Sequence, residues 1–176
     1  PKQFSGMTDR SLRLDALGHP HIAYGGDHLY YAEQQAGGAW NVVTVDSSWG
    51  VGSYASLALH NGTSPRIVYA GHGDGFGYAE GSLVGGEWQW SIDEIPGRGT
   101  YCSLALSSTG QPQIAYYDSL LLGLRHIRRG PSGWMTPTTL DTPGDPSRHY
   151  SIVVDGDDHP HIVSVTAAGS LLYHYQ

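Results

Sequence analysis

Hydrophobic and polar positions follow one scheme that recurs four times along the chain. Each copy opens on Ser-Leu-x-Leu or a close variant, passes through a polar turn, and continues with Pro-x-Ile-x-Tyr or a close variant. The copies begin at Ser11, Ser56, Ser103 and Ser151, which are 45, 47 and 48 residues apart. Repetition at this period is typical of solenoids and propellers. The chain is therefore expected to consist of four related structural units.

The second copy shows what one unit is expected to form. Apolar and small residues alternate through four short segments, 56–59, 66–70, 76–80 and 88–95, and Gly, Asn, Asp or Pro stands at each reversal between them. Four short antiparallel strands per copy predict one blade of a β-propeller. A tryptophan near the start of the fourth strand (Trp40, Trp88 and Trp134 in the first three copies) is expected to pack as a wedge between neighbouring blades.

The predicted fold is a single all-β domain over residues 1–176, a β-propeller with about 47 residues per blade. The blades are expected near 11–55, 56–102, 103–150 and 151–176 plus 1–10. The fourth copy supplies only three strands, so its blade is incomplete. Three closures stay open: a four-bladed ring in which segment 2–5 adds the missing strand, half of an eight-bladed ring made by two chains, or a piece of a longer propeller.

The copies resemble a bacterial propeller repeat of the form Ser-Leu-Ala-Leu-Asp-x-x-Gly-x-Pro-His-Ile-Ala-Tyr-Tyr-Asp. The resemblance covers nearly the whole chain. The positions that match are Asp15, Gly18, Pro20 and His21 in the first copy and Gly110, Pro112, Tyr117 and Asp118 in the third. It implies a propeller of the kind found in large extracellular and multidomain proteins. It implies little about activity, because propellers host enzymes, lectins and scaffolds alike.

Composition and charge narrow the classes of partner. The 25 glycines and 10 prolines among 176 residues supply the turns of an all-β protein. The net charge of −7 and the lack of clustered cations argue against nucleic acid. No apolar run is long enough to insert into a membrane. Cys102 is the only cysteine, so no internal disulfide can form, and it is expected to fill an inner strand. An extracellular or cell-surface location is favoured, with a cytosolic one left open.

The predicted binding site is a rim of loop residues at one end of the blades. The loops that enter each innermost strand and those that join the second and third strands should surround the mouth of a central channel. The residues two positions before each repeated Ser are Asp9, Tyr54, Tyr101 and His149, and His72 lies in a neighbouring loop. These five residues are predicted to contact a ligand. The alternative is that they pack over the channel mouth and hold the loops in place.

Other polar residues are interpreted as turn formers. Asp27, Asp74 and Asp118 occupy equivalent turns, where aspartate usually accepts hydrogen bonds from nearby backbone amides. The pairs His19-Pro20-His21 and His159-Pro160-His161 could bring two imidazoles together, but zinc needs further ligands. Ordinary turn histidines are therefore favoured, and neither a metal nor a cofactor is predicted.

The sequence favours a non-catalytic binding or scaffold module that presents a Tyr- and His-lined loop face to a protein or glycan. No Gly-x-Ser-x-Gly, His-Glu-x-x-His or phosphate-loop motif occurs, and Asp46-Ser47-Ser48-Trp49 does not match the Asp box of sialidase-type propellers. No catalytic residue is therefore assigned. The alternatives are a hydrolase or lyase with its site at the channel mouth, and a structural unit that oligomerises through an open blade edge.

Overall fold

The computed structural model describes residues 11–71, 73, 75–141, 150–166 and 168–175. The regular structure of these residues is a set of four antiparallel β-sheets, so the prediction of an all-β fold is confirmed. No helix long and apolar enough to cross a membrane occurs among them.

Each of the first two copies forms a four-stranded sheet whose strands lie in chain order. The first sheet contains β1 (Leu12–Leu14), β2 (Pro20–Gly25), β3 (Leu29–Gln34) and β4 (Trp40–Asp46). The second sheet contains β5 (Ser53–His60), β6 (Ser64–Ala70), β7 (Phe76–Val84) and β8 (Glu87–Ile95). The repeated Ser-Leu-x-Leu and Pro-x-Ile segments therefore form the first and second strands of each sheet, as predicted.

The third and fourth sheets depart from this scheme in their outer strands. The third sheet contains β9 (Gly99–Leu106), β10 (Pro112–Asp118), β11 (Gly123–Gly130), β12 (Gly133–Trp134) and β13 (Thr138–Thr139). Its outer strand is divided around Pro137, which has no amide hydrogen for the ladder. The fourth sheet has the three strands predicted for it: β14 (Tyr150–Val154), β15 (Pro160–Val165) and β16 (Leu171–Tyr175). The predicted closing strand 2–5 lies outside the described residues.

The chain divides into two compact units, residues 1–95 with the first two sheets and residues 96–176 with the last two. Within each unit, one sheet packs face to face on the next. We call the face that carries the repeated Leu and Ile side chains the leading face, represented by Leu57, Ile67 and Ala79 in the second sheet. The opposite face, represented by Ala23 and Tyr31 in the first sheet, is the trailing face. These five residues share one buried core cluster, so the trailing face of the first sheet packs on the leading face of the second.

The repeated serine connects the innermost strands of stacked sheets. In the first unit the Ser11 hydroxyl donates to the Ala55 carbonyl at 2.9 Å. In the second unit the Ser103 hydroxyl accepts from the Ile152 amide at 3.3 Å. Ser11 and Ser103 are both buried. A buried polar group without a partner is costly, so these hydrogen bonds explain why the inner strand carries a serine at this position.

The tryptophans of the outer strands lie at equivalent positions in the register, with one correction to the prediction. Trp40, Trp90 and Trp134 each pair with the residue two positions beyond the central Ala or Ile of the third strand. Trp90, rather than Trp88, is therefore the counterpart of the other two, because the β7–β8 hairpin extends further. Both Trp88 and Trp90 contact the Tyr31 ring edge to face at 5.3 Å. The predicted wedge between neighbouring sheets is confirmed for Trp88, whereas Trp40 of the same unit is 46 % exposed.

Glycines allow the first two sheets to approach closely at their loop end. A Cβ added at Gly25 would lie 2.2 Å from the His28 carbonyl oxygen and 2.9 Å from the Cα of Gly52. Both of these are backbone atoms, which cannot move aside cheaply. Gly25 is therefore required by the space between chain segments rather than by its own backbone angles.

We expect Gly25→Ala to lower the free energy of unfolding by about 1–3 kcal/mol, since it overpacks the contact with backbone atoms. Gly37→Ala is the matched control, because nothing lies within 4 Å of its added Cβ. Its effect should stay within about 0.5 kcal/mol. Chemical denaturation measures both variants, and equal stabilities would contradict the close approach at Gly25.

Candidate functional site

The residues of the predicted rim are only partly described by the structure. Asp9, His72 and His149 lie outside the described residues. Tyr54 and Tyr101 are described and half-buried, one in each unit. The ligand contacts of these five residues therefore stay a prediction.

Tyr54 and Tyr101 share an unusual backbone geometry. Each has a φ of 54°, in the left-handed region that bulky residues seldom adopt. Each also lies where the register between the two inner strands shifts, which marks a β-bulge. Tyr101 packs against the core cluster of the second unit. Both tyrosines therefore hold a strained turn into the inner strand, and strain of this kind is concentrated at functional sites and ligand clamps.

The aspartates of the strand-connecting turns stabilise those turns, as predicted. Asp118 is buried, and its Oδ1 accepts hydrogen bonds from the amides of Leu120 and Leu121 at 2.9 and 3.0 Å. Its other oxygen accepts from the Arg125 guanidinium at 3.2 Å. Asp27 accepts from the Tyr30 hydroxyl at 3.0 Å. Asp74 lies outside the described residues.

The two His-Pro-His pairs form related networks on an aspartate that precedes them in the turn. Asp155 accepts from the amides of Asp157 and His159, both at 2.9 Å, and its second oxygen lies 3.0 Å from His161 Nε2. His161 Nδ1 in turn shares a hydrogen bond with the Tyr173 hydroxyl. The hydrogen bond with His161 and those from the backbone lower the pKa of Asp155 to about 2.

The first copy has a related arrangement with one difference. His21 shares a hydrogen bond with the Tyr31 hydroxyl, but Asp15 Oδ2 bonds to His19 Nδ1 at 3.1 Å, and His21 Nε2 lies 3.8 Å from that oxygen. His21 and Tyr31 are buried. Within the described residues, no three His, Cys, Asp or Glu side chains lie together in a metal-binding group. The networks fix the turn between the first two strands and orient its histidines.

The first unit has a concave site at the loop end of its sheets. The cavity has a volume of about 280 Å³ and lies between the end of β4, the turn from β6 to β7 and the end of β8. Its lining includes three carboxylates, one serine, two aromatic residues and three glycines. These are Asp46, Asp93, Glu94, Ser48, Tyr69, Phe76, Gly71, Gly75 and Gly77, together with Val51 and Ile92.

Hydrogen bonds fix the charge at the base of this concave site. The Tyr69 hydroxyl donates to Asp46 Oδ2 at 2.7 Å, and the Ser48 amide donates to Asp46 Oδ1 at 2.9 Å. Burial alone would raise the pKa of Asp46, but these hydrogen bonds outweigh it and the net shift is downward. Burial and the bond to Asp46 raise the pKa of Tyr69. Asp46 is therefore an ionised acceptor, held in place by a neutral tyrosine.

An exposed aromatic ring adjoins the concave site. Trp49 follows the lining residue Ser48 in the chain, and its side chain is 73 % exposed. His28 supports it from the side, with its ring 5.6 Å from the indole in an edge-to-face contact and its Nδ1 2.8 Å from the Ser48 carbonyl oxygen. Most of the Trp49 surface is therefore accessible to a ligand that packs on aromatic rings.

These lining residues were not among those predicted from the sequence. The cavity shares two segments with the predicted rim loops: the turn from β6 to β7, and Val51, which lies before an inner strand. It did not include Asp46, Asp93 or Glu94, and Tyr54 does not line the cavity. The sequence signal for them was an acidic residue at or near the end of the outer strand in the first two copies. These are Asp46, which precedes Ser48 and Trp49, and Glu94.

A second, smaller cavity lies in the other unit, between the third and fourth sheets. Its volume is about 230 Å³, and basic and hydroxyl side chains contribute to its lining: His126, Arg128, Thr136, Thr138 and His159, with Met135, Asp158 and Pro160. The Asp158 carboxylate already accepts hydrogen bonds from the Ser108 amide and hydroxyl. It therefore serves to join the two sheets.

We expect the Asp155 network to make stability depend on pH in the acid range. The pKa of Asp155 is lowered from 3.8 to about 2 in the folded chain, so its ionised form stabilises the fold above pH 4. This stabilisation is lost as the pH falls toward 2. Asp155→Asn should therefore unfold more readily than the wild type at pH 7, with the difference shrinking below pH 4. Denaturation at several pH values measures this, with Asp157→Asn as the control. A difference that does not change with pH would refute the role of the charge.

Comparison with known proteins bears on the fold. No family model and no curated protein matches the chain. Several solved structures are similar in fold, among them AofleA from Arthrobotrys oligospora. The match has 15 % sequence identity and a TM-score of 0.63, and covers 90 % of this chain and 50 % of that one. The chain thus spans about half the length of this relative. At this identity the likeness concerns the fold alone. Together with the antiparallel sheets, it supports a propeller-like all-β architecture.

The closure of the ring and the number of blades stay predictions.

Proposed function

We propose that the chain is a non-catalytic binding module and that the concave site of its first unit takes a glycan. The observation that carries this proposal is the combination of the Asp46 and Glu94 carboxylates with the exposed indole of Trp49, which follows Ser48 in the chain. The sequence predicted a Tyr- and His-lined loop face for a protein or glycan, and the site proposed here has a different, acidic lining.

Carboxylates suit a polyhydroxylated ligand because they accept hydrogen bonds from neutral hydroxyl groups. A hydrogen bond to a charged acceptor contributes about 1.5–3 kcal/mol, more than one between neutral groups. Asp46 is already ionised and held by Tyr69 and Ser48. It therefore does not have to reorganise when a hydroxyl group arrives. Glu94 adds an acceptor, since the register places it on the same face of the second sheet as Tyr69.

The indole of Trp49 provides the apolar part of the site. One face of a pyranose ring carries mostly C–H groups, which pack well on an aromatic ring. The contact between Trp49 and His28 fixes the orientation of the indole before a ligand binds. Less conformational freedom is then lost on binding, and this favours affinity.

The size of the cavity favours a small group over a protein surface. About 280 Å³ is at the lower end of the range for small-molecule sites. A stable protein interface instead buries about 800 Å² on each partner over a broad patch. A protein partner is therefore the second candidate for the loop face. Such a partner would use the same cavity if it inserted a single side chain.

We expect Glu94→Gln and Trp49→Ala each to weaken glycan binding about tenfold or more, since each removes a contact worth roughly 1.5 kcal/mol. A glycan array with the wild-type chain selects the ligand, and calorimetric titration then measures the dissociation constants. Glu87→Gln is the matched control. It lies at the opposite end of β8 and removes a charge of the same kind, so it should bind as the wild type does.

Equal affinity of the wild type, Glu94→Gln and Trp49→Ala would refute this site while leaving the binding function intact. If the array shows no glycan and affinity capture from host extracts also recovers nothing, the binding function itself is refuted. Recovery of a protein whose capture requires Trp49 supports the protein alternative.

A further inference from the structure

The trailing face of the fourth sheet is apolar and exposed. Val153, Val163 and Tyr173 are 61 %, 39 % and 60 % exposed, and the register places Val163 beside Tyr173. Leu171 and Tyr175 lie on the same face and are also exposed. In the first sheet, by contrast, the corresponding face is buried under the second sheet.

The leading face of the first sheet is also apolar and exposed. Leu12, Leu14, Trp40 and Val42 are between 46 % and 61 % exposed. The register aligns Leu12, Ile22, Ala32 and Val42 across the four strands, so these residues share one face. In the second sheet the same positions contribute to the core that buries the first sheet.

These two exposed faces are the two halves of the contact seen inside the first unit. Tyr173 occupies the register position of Tyr31, opposite the residue that follows the repeated Ile. Trp40 occupies the register position of Trp90. Within the first unit, Trp90 covers Tyr31 edge to face at 5.3 Å. Trp40 and Tyr173 thus occupy the two positions that form this ring contact inside the first unit.

The turn network supports this match. Tyr31 and Tyr173 each share a hydrogen bond with the histidine that follows Pro in their sheet, His21 and His161. The ring that a tryptophan covers in the first sheet is therefore held in the same way in the fourth. One ring is fully buried and the other is 60 % exposed. Only the covering sheet differs between them.

We propose that the trailing face of the fourth sheet binds the leading face of the first sheet of a second copy of this chain, with Trp40 of one copy covering Tyr173 of the other. A second copy is the occupant that the observations favour, since this chain itself carries both halves of the contact. The contact continues the stacking already present within each unit. It is head to tail, so repeated association yields either a closed ring or an open chain of copies. The proposal concerns sheet faces, and it is independent of the glycan site and of pairing between strand edges.

The experiment measures the mass of the 176-residue chain in solution by sedimentation over a range of concentrations. The wild type is expected to associate. Trp40→Glu and Tyr173→Glu should each weaken association about tenfold or more, since each places a charge in an apolar contact. An equimolar mixture of the two variants should form a 1:1 complex, because each retains the face that the other lacks. An isologous contact between two like faces would not show this complementation.

Leu120→Glu is the control, since Leu120 is 68 % exposed in the turn between β10 and β11, outside both faces. It should associate as the wild type does. Thermal unfolding of each variant establishes that it is folded, and Leu14→Lys and Val153→Lys provide a second pair with the same expected behaviour. A wild type that stays monomeric at about 1 mM would overturn the proposal. So would association that survives both Trp40→Glu and Tyr173→Glu, or a mixture that remains monomeric.

Discussion

The stacking of one sheet's trailing face on the next sheet's leading face is the contact on which the rest of the structure depends. A single antiparallel sheet of short strands has no second layer to cover its apolar side chains. Stacking within a unit buries them, as it does for Leu57 of the second sheet and Ala23 of the first. The repeated serine then satisfies a buried backbone group across the contact. Each repeat therefore needs a neighbour, as expected for repeat proteins.

The same stacking creates the sites that a ligand can use. The cavity of the first unit lies at the loop end, between the end of β4, the turn from β6 to β7 and the end of β8. Gly25 and Gly52 let the two backbones approach there, while the strained turn at Tyr54 directs the chain into the next inner strand. Asp46 belongs to one sheet and Tyr69 to the other, and their hydrogen bond spans the contact. The proposed binding site thus lies where two repeats meet, as in many multi-element ligand sites.

The turn networks show that a motif rich in histidine and aspartate can be structural. His161 and Asp155 resemble part of a metal or catalytic site in sequence, yet the structure uses them to close a turn and hold Tyr173. The carboxylate accepts two backbone amides as well, which leaves it little capacity for a ligand. The equivalent turns of the second and third copies lack the His-Pro-His pair. In the third copy the Ser107 hydroxyl accepts from the Gln111 amide, as Asp155 does from the His159 amide in the fourth.

The sequence by itself determined the strands, their order and the incomplete fourth sheet, because alternation of side chains and turn residues are local properties. It also indicated the buried inner strands and the turn role of Asp118. The tertiary structure decided which side chains meet. Trp90 rather than Trp88 matches the other outer-strand tryptophans because of hairpin length. Asp46 and Glu94 line one cavity because two stacked sheets bring distant segments together. Such contacts depend on register and stacking between repeats, which a pattern within one repeat does not contain.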